Sequence, residues 1–529
     1  MGDREVWLGD EAVAMAAVHA GISGVYGYPG TPSTEIFEAV EAVALREGIH
    51  AHWSANEKVA YEEALGMSFA GRRSIVTMKH VGLNVAADAF MNSAVTGVHG
   101  GLVLTVADDP GMHSSQNEQD SRYYAHFALV PCLEPADQQQ AYEMTREALD
   151  LSEAVGLPVV LRLVTRLAHS RASVLPGPRV PQKPLDVWRD PMTFTLLPQN
   201  ARIQYRRLTE KQADLLHRSE TSRWNVLSDG PRHDRGFLVN GIAWNYLMEA
   251  FGGECPHPVL RIGQYPVPVD LMRSLVERVE EVVVVEEGYP FLEERLRGIV
   301  GIPGKAIRGK LDGTLPRTGE LNPTIVAASL GLPVAQGLRP TLGEVPGRPP
   351  TLCPGCSHTD SFLEVREAMK PYGDLRVFSD IGCYTLGFYS PLNAIHSCVD
   401  MGASISMAAG AAHAGARPVV AAIGDSTFAH SGITPLLTAI RQNVDFTVVI
   451  LDNGTVAMTG TQKTLATGED LDRIVLGLGL DPDHLKVIEP HKMRAEEQVA
   501  IIRREIEYPG TSVIIARRAC VQALRRGVV

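Results

Sequence analysis

Two apolar runs constrain this chain more than any other feature: VVAAIGDSTF and FTVVILDNGT, which carry Asp425 and Asn453 with 27 residues between them. Each run is continuously apolar and β-branched over the length of a strand, the pattern of a strand buried on both faces of a parallel sheet. The stretch GITPLLTAIRQN between them has helical spacing, so the segment reads as one βαβ unit. A carboxylate then stands at the C-terminal end of the first strand and a carboxamide at the end of the second. Open parallel sheets bind ligands at that edge. A hard cation such as Mg²⁺ takes oxygen ligands, one or two from protein and the rest from phosphate and water. Asp425 and the side-chain oxygen of Asn453 meet that demand, with the backbone carbonyl of Thr455 as a third ligand. Gly424 is expected to let the backbone approach a phosphate, whose charge the amides of the next helix start favour. GDS alone reads as an ordinary βα loop with a capping Asp; with Asn453 at this distance, a diphosphate–Mg²⁺ site is the better reading.

At 529 residues the chain exceeds a single core, and three or four domains are expected. A hydrophobic content of 45% describes a globular protein. The balance of 49 basic against 61 acidic residues, a net charge of −12, argues against nucleic acid as a partner. No apolar run approaches membrane-spanning length, and MGDREVWLGDEA lacks the apolar core of a signal peptide. Seven thinly spread cysteines suit a reducing compartment, and the expected location is the cytoplasm.

Strand-like and helix-like stretches alternate through residues 1–180: GVYGYPG leads into PSTEIFEAVEAVALREG, SIVTMKH into LNVAADAFMNSAVTG, and PADQQQAYEMTREALDLSEAVG into PVVLRLVTR. This is a doubly wound α/β pattern. Residues 181–235 break it and read as a linker or excursion that holds two of the five tryptophans. A smaller α/β unit follows at 236–335, with no cluster of catalytic residue types. A Pro/Gly-rich linker at 336–350 leads to the last domain, 351–529, which carries the GDS unit.

The spacing of GDS and Asn resembles the thiamine-diphosphate motif. YPGTPSTEI (28–36), NEKVAYEEALG (56–66), MKHVGLNVAAD (78–88), HSSQNEQDSR (113–122), CPGCSH (353–358) and DIGCYTLG (380–387) resemble the large subunit of indolepyruvate ferredoxin oxidoreductases, within the 2-oxoacid:ferredoxin oxidoreductase superfamily. The resemblance implies two doubly wound thiamine-diphosphate-binding-type domains, the first for the pyrimidine and the last for the diphosphate, with a transketolase C-terminal-like domain between. It also implies at least a homodimer of this chain within a hetero-oligomer, because thiamine enzymes usually build the site from two protomers.

By the same resemblance, Glu57 is the carboxylate that partners N1′ of the aminopyrimidine. The bland reading is a first-turn charge at a helix start; Glu62 and Glu63 are expected on the solvated helix face. Thr31 matches the family threonine that faces the substrate, and reads equally well as a helix N-cap. His80, after Lys79, ends a strand at the pocket edge, and KHVGLN is the stretch closest to the aryl-pyruvate branch. Gln116, Asn117 and Arg122 are expected either at the pocket mouth or in a solvated loop. A cofactor-binding role extends to Gly382, Cys383, Tyr384, Gly402, Gly424, Asp425, Ser426 and Asn453.

Cys353, Cys356, Cys383 and Cys520 match the positions that hold the family's proximal 4Fe–4S cluster. On their own they are read as well as a Zn²⁺ site or as inert thiols. Cys132, Cys255 and Cys398 match no ligand pattern. The family's large subunits usually continue into a ferredoxin-like domain with CxxCxxCxxxCP runs; the sequence holds none in the nine residues after Cys520. Electrons are therefore expected to leave through a partner protein or carrier.

The resemblance thus implies oxidative decarboxylation of a 2-oxo acid, an aryl pyruvate such as indolepyruvate, to an acyl-coenzyme A. The cofactors would be thiamine diphosphate, Mg²⁺ and a 4Fe–4S cluster; the partners, a small subunit and ferredoxin. A non-redox decarboxylase or carboligase is the alternative.

Overall fold

The structure, a computed structural model, describes residues 4–187, 191–334, 350–373 and 376–527. The expected linker at 336–350 lies outside them except for Pro350, as does Trp188. The chain forms two compact units, Met1–Arg339 and Pro340–Val529.

The first unit is built on a seven-stranded sheet in the order Gln264–Tyr265, Cys132–Leu133, Val159–Val164, Leu102–Asp108, Ser74–Lys79, Gly24–Gly27 and His50–Trp53. Neighbours are parallel except the edge strand Gln264–Tyr265. Alternate residues of the inner strands feed different cores. Ile75 and Val103 pack with the helices Gly9–His19, Thr34–Glu47 and Gln138–Val155. Val76 and Leu104 pack with Glu57–Phe69 and His80–Thr96. Burial on both faces is why these strands read as unbroken apolar runs. The chain goes from Gly24–Gly27 outward to His50–Trp53, then returns to Ser74–Lys79 on the other side. The topological switch, where such sheets bind ligands, therefore lies between YPGT and Lys79.

A second sheet in this unit has five strands, in the order Ala306–Arg308, Glu281–Val285, Arg235–Asn240, Val259–Ile262 and Val226–Ser228. The break at 181–235 is structured over its described part. Helices Pro198–Glu210 and Gln212–Glu220 lie within it, Phe194 stacks on Phe69 with ring centroids 3.8 Å apart, and Trp224 is buried.

The second unit has a six-stranded parallel sheet in the order Ser397–Cys398, Val377–Ser379, Val420–Gly424, Phe446–Asp452, Thr511–Arg517 and Leu485–Ile488. Val448 and Ile450 enter one core, Val449 and Leu451 the other. Here the switch falls between Val377–Ser379 and Val420–Gly424. The segment with Cys383 and the segment with Asp425 thus leave the sheet on either side of one crevice. Among the described residues no helix is long and apolar enough to cross a membrane.

Candidate functional site

In the first unit the helix Glu57–Phe69 begins at Glu57 because Asn56 caps it: its side-chain oxygen accepts from the Val59 amide at 2.9 Å. Glu57 is buried, 6% exposed, and its side chain packs against the backbone of Gly82. A Cβ at Gly82 would stand 2.7 Å from both Cγ and Oε1 of Glu57. Glu62 is exposed and pairs with Lys58; Glu63 departs from the solvated face expected of it, accepting from the Ser54 hydroxyl at 2.5 Å.

Lys79 ends the neighbouring strand, while His80, expected at a strand end, is instead the first residue of the helix His80–Thr96; both are buried. Burial pulls the Lys79 ammonium down to about 8, against the opposing pull of Asp109 and Glu57. Its Nζ donates to the Ser114 carbonyl at 2.8 Å, and the Ser114 hydroxyl donates to the Thr31 carbonyl at 3.0 Å. Nε2 of His80 donates to the Asn117 carbonyl at 3.2 Å, which leaves Nδ1 buried with no hydrogen-bond partner. The structure therefore brings Glu57, Lys79, His80 and the 113–117 loop together at the switch-point edge.

Two further expectations in this unit are corrected. Thr31 is not a helix cap. The helix Thr34–Glu47 starts three residues later, Thr34 accepts from the Gly30 amide at 2.9 Å, and Ser33 donates to the Gly30 carbonyl at 2.8 Å. Arg122 does not reach the pocket mouth. It is fully buried, donating to Asp120 at 2.9 Å and to Glu286 at 3.0 Å, and fastens the end of the polar loop. Gln116 is exposed, while Asn117 turns its carbonyl to His80.

In the second unit Asp425 is 3% exposed. Its carboxylate accepts from the Ser426 amide at 2.8 Å and, from the loop after the adjacent strand Phe446–Asp452, from the Gly454 amide at 2.9 Å. Asn453 Oδ1 accepts from the Thr455 amide at 3.1 Å, while Nδ2 lies 3.1 Å from His358 Nε2. Burial first, then Asp452, hold the Asp425 carboxyl well above the carboxylate range. Among the described residues no cationic side chain pairs with it; the neighbouring Asp452 is taken by Arg517 at 2.7 Å. A buried carboxylate beside a carboxamide oxygen, without thiol or imidazole ligands, is a donor set that suits Mg²⁺.

The glycines of this crevice also have a packing reason that was not expected for Gly424. A Cβ at Gly424 would stand 2.6 Å from the Tyr384 ring, and one at Gly382 would stand 2.4 Å from it. They make room for a buried tyrosine whose hydroxyl donates to Thr427 at 3.2 Å, so Tyr384 forms the floor of the crevice. Gly402 has φ +93°, and a Cβ there would stand 2.4 Å from Ser431 Cβ. Ser426 is buried beside Asp425.

Four thiols surround the same crevice. Cys353 and Cys356 are joined by a turn closed by the Cys356 amide on the Cys353 carbonyl at 3.0 Å. Cys383 follows the strand Val377–Ser379, and Cys520 follows Thr511–Arg517. Arg518 brings the last of these in, donating to Asp360 at 2.8 Å and to the Gly355 carbonyl at 3.3 Å. The Cys520 amide donates to the Asn453 carbonyl at 3.0 Å. Burial pushes the Cys383 thiol up to about 12, and the nearness of Cys356, Cys520 and Cys353 pushes the same way. Cys356 is raised by burial and by Cys353 and Cys520. Together the four thiols form a cage, a donor set that suits a four-iron cluster and tetrahedral zinc alike.

Sequence reasoning missed His358, and it placed Lys79 and Gly82 at the pocket edge without the buried charge of the one or the contact with Glu57 of the other. The CPGCSH and KHVGLN motifs contained them, but their contacts exist only across the folded crevices.

The chain is similar to known proteins over most of its length. Residues 15–187 match the family described as pyruvate flavodoxin/ferredoxin oxidoreductase, thiamine diP-bdg. Residues 380–516 match the thiamine pyrophosphate enzyme, C-terminal TPP binding domain. The indolepyruvate oxidoreductase subunit IorA of Archaeoglobus fulgidus is 39% identical over 98% of this chain and 87% of its own length. The subunit of the same name from Methanothermobacter thermautotrophicus is 38% identical over the same shares. A solved 2-oxoglutarate:ferredoxin oxidoreductase from Magnetococcus marinus, 16% identical, shares the fold with a TM-score of 0.51 over 62% of this chain and 65% of that chain.

Proposed function

The chain belongs to the indolepyruvate oxidoreductase IorA-subunit family of thiamine-diphosphate-dependent 2-oxoacid oxidoreductases, and from that premise we propose that it oxidatively decarboxylates an aryl pyruvate such as indolepyruvate. The products would be CO₂ and an acyl-coenzyme A, with two electrons leaving through a 4Fe–4S cluster to ferredoxin or another carrier. The observation that carries the redox reading is the convergence of four thiols around Cys383, with Cys520 tied to the Asn453 carbonyl. When bound, thiamine diphosphate supplies the electron sink for loss of CO₂, and the cluster supplies the one-electron acceptor.

The chain's own residues have separable tasks. Asp425 and Asn453, with the backbone at Thr455, would hold Mg²⁺, whose charge would offset that of the diphosphate. The crevice floor of Tyr384, Gly382 and Gly424 fixes that loop, with Gly402 and Ser426 at its rim. Glu57 holds and returns the proton at N1′ of the aminopyrimidine, and its burial keeps water from competing. Thr31 and His80 orient the 2-oxo acid, His80 through its unpartnered Nδ1. Lys79 places a buried ammonium where a substrate carboxylate is drawn. Cys353, Cys356, Cys383 and Cys520 ligate the cluster.

The word subunit in the relatives' name supports a small partner subunit, and we place the chain in the cytoplasm, as at least a dimer of itself within that assembly. The test is an anaerobic assay of the chain, alone and with its small subunit, against a panel of 2-oxo acids with coenzyme A and a redox dye. Dye reduction selective for aryl pyruvates is expected. Aldehyde release without dye reduction would make the protein a non-redox decarboxylase.

A further inference from the structure

His358 lies two residues beyond Cys356, in the first turn of the helix Ser357–Met369, and is 3% exposed. Its ring meets Tyr384 edge-on with centroids 5.8 Å apart. Its Nε2 lies 3.1 Å from Nδ2 of Asn453. A carboxamide is nearly isosteric about its own axis, so its neighbours alone decide which end is oxygen. At Asn453 a backbone amide makes the decision. The Thr455 amide, which can only donate, meets Oδ1 at 3.1 Å. The amino group is therefore the end that faces His358, whose Nε2 must accept and whose proton must sit on Nδ1.

We propose that His358 is a positioning residue that fixes the orientation of the Asn453 carboxamide, so that its oxygen rather than its amino group is presented to the diphosphate-bound metal. The inference rests on the reading of Asn453 as a magnesium ligand. Its consequence is a mechanical link between two cofactor sites. Cys356 and His358 share one helix start, and Asn453 receives the Cys520 amide on its carbonyl at 3.0 Å. The loop that binds diphosphate is thereby held from both sides by segments that carry cage cysteines. Removal of the imidazole leaves a buried amino group without an acceptor, and the Thr455 amide alone then holds the carboxamide against turning. A turned carboxamide offers the metal a donor instead of a ligand.

The test is calorimetric titration of the full chain with thiamine diphosphate in Mg²⁺, and of Mg²⁺ at fixed thiamine diphosphate, for wild type, His358→Leu, His358→Met, His358→Gln and Asp425→Ala. The apolar variants are expected to lose about tenfold or more in thiamine-diphosphate affinity and to need correspondingly more Mg²⁺. His358→Gln, which offers a carbonyl acceptor, is expected to recover to within about threefold of wild type. Two apolar replacements keep the comparison available if one of them fails to fold. Apolar variants that bind like wild type, while Asp425→Ala does not, would overturn the role of His358 and leave the metal site standing. Equal losses in the apolar and Gln variants would assign His358 to packing and overturn the proposal. Unchanged binding in Asp425→Ala would remove the metal-site reading itself, and the proposal with it.

Discussion

Gly82→Ala separates the stability of the first unit from the chemistry assigned to it. Gly82 is the third residue of the helix His80–Thr96 and has no positive φ, so the backbone accepts alanine without strain. Helix propensity alone would favour the change by up to about 1 kcal/mol. The new Cβ would stand 2.7 Å from Cγ and Oε1 of Glu57 and 2.9 Å from Cδ, whereas ordinary contact begins near 3.4 Å. The carboxylate must therefore retreat by about 0.7 Å, because its neighbour is helix backbone and cannot yield. Overpacking costs about 1–3 kcal/mol, so the net destabilisation is about 0–2 kcal/mol, a few degrees in Tm at most. Displacing a group that handles a proton by this distance costs far more in rate, about 10- to 100-fold in kcat.

The assay is steady-state turnover with a redox dye, beside thermal unfolding, for Gly82→Ala, Glu57→Gln and the double variant. Glu57→Gln is expected to lose about 10²- to 10⁴-fold, because an amide cannot take up the proton. If alanine acts through Glu57, the double variant is no slower than Glu57→Gln alone. Wild-type turnover in Gly82→Ala, or losses that multiply in the double variant, would refute the assignment of Glu57.

Two further outcomes follow from other parts of the chain. Cys520→Ser should lower iron content or leave the cluster oxygen-labile, since a hydroxyl is a poor ligand for iron–sulfur chemistry; dye-linked oxidation should fall while aldehyde release survives. Iron and sulfide analysis checks it, and full iron with full oxidative activity would remove Cys520 from the cage. Asp10 is fully buried, both its carboxylate oxygens lack hydrogen-bond partners, and burial, then Glu35 and Glu11, hold its carboxyl well above the usual 3.8. The groups around it are those two carboxylates and His169, which pairs with Glu35 at 3.5 Å. The folded state keeps a proton that the unfolded chain releases, so this contribution to stability is full below about pH 4 and is lost as pH rises towards the folded value. Asp10→Asn should therefore gain on wild type, by about 1 kcal/mol or more, as pH rises from 4 to 8 in denaturant titrations; a gap that does not change with pH would contradict the assignment.

The parallel strands were legible because burial on both faces leaves unbroken apolar runs, as in VVAAIG and FTVVILD. The Asp425–Asn453 pair was legible because one βαβ unit fixes both the spacing and the sheet edge. The packing reason for Gly424 was not, since the ring it accommodates, Tyr384, comes from the short helical segment Cys383–Phe388 on the other side of the switch point. Thr31 resembled a cap because Thr-Pro-Ser-Thr offers several cap residues in a row, and sequence does not say that the helix begins at Thr34. His358 contacts a residue 95 positions away, and only the sheet order brings the two together.

The most direct test of a redox role is the visible spectrum of the anaerobic protein, loaded with thiamine diphosphate and Mg²⁺, on addition of indolepyruvate and coenzyme A. The account predicts that the brown iron–sulfur absorbance bleaches as CO₂ is released, in wild type but not in Glu57→Gln. Release of CO₂ with an unchanged spectrum, or a protein without iron and sulfide that still turns over, would contradict it.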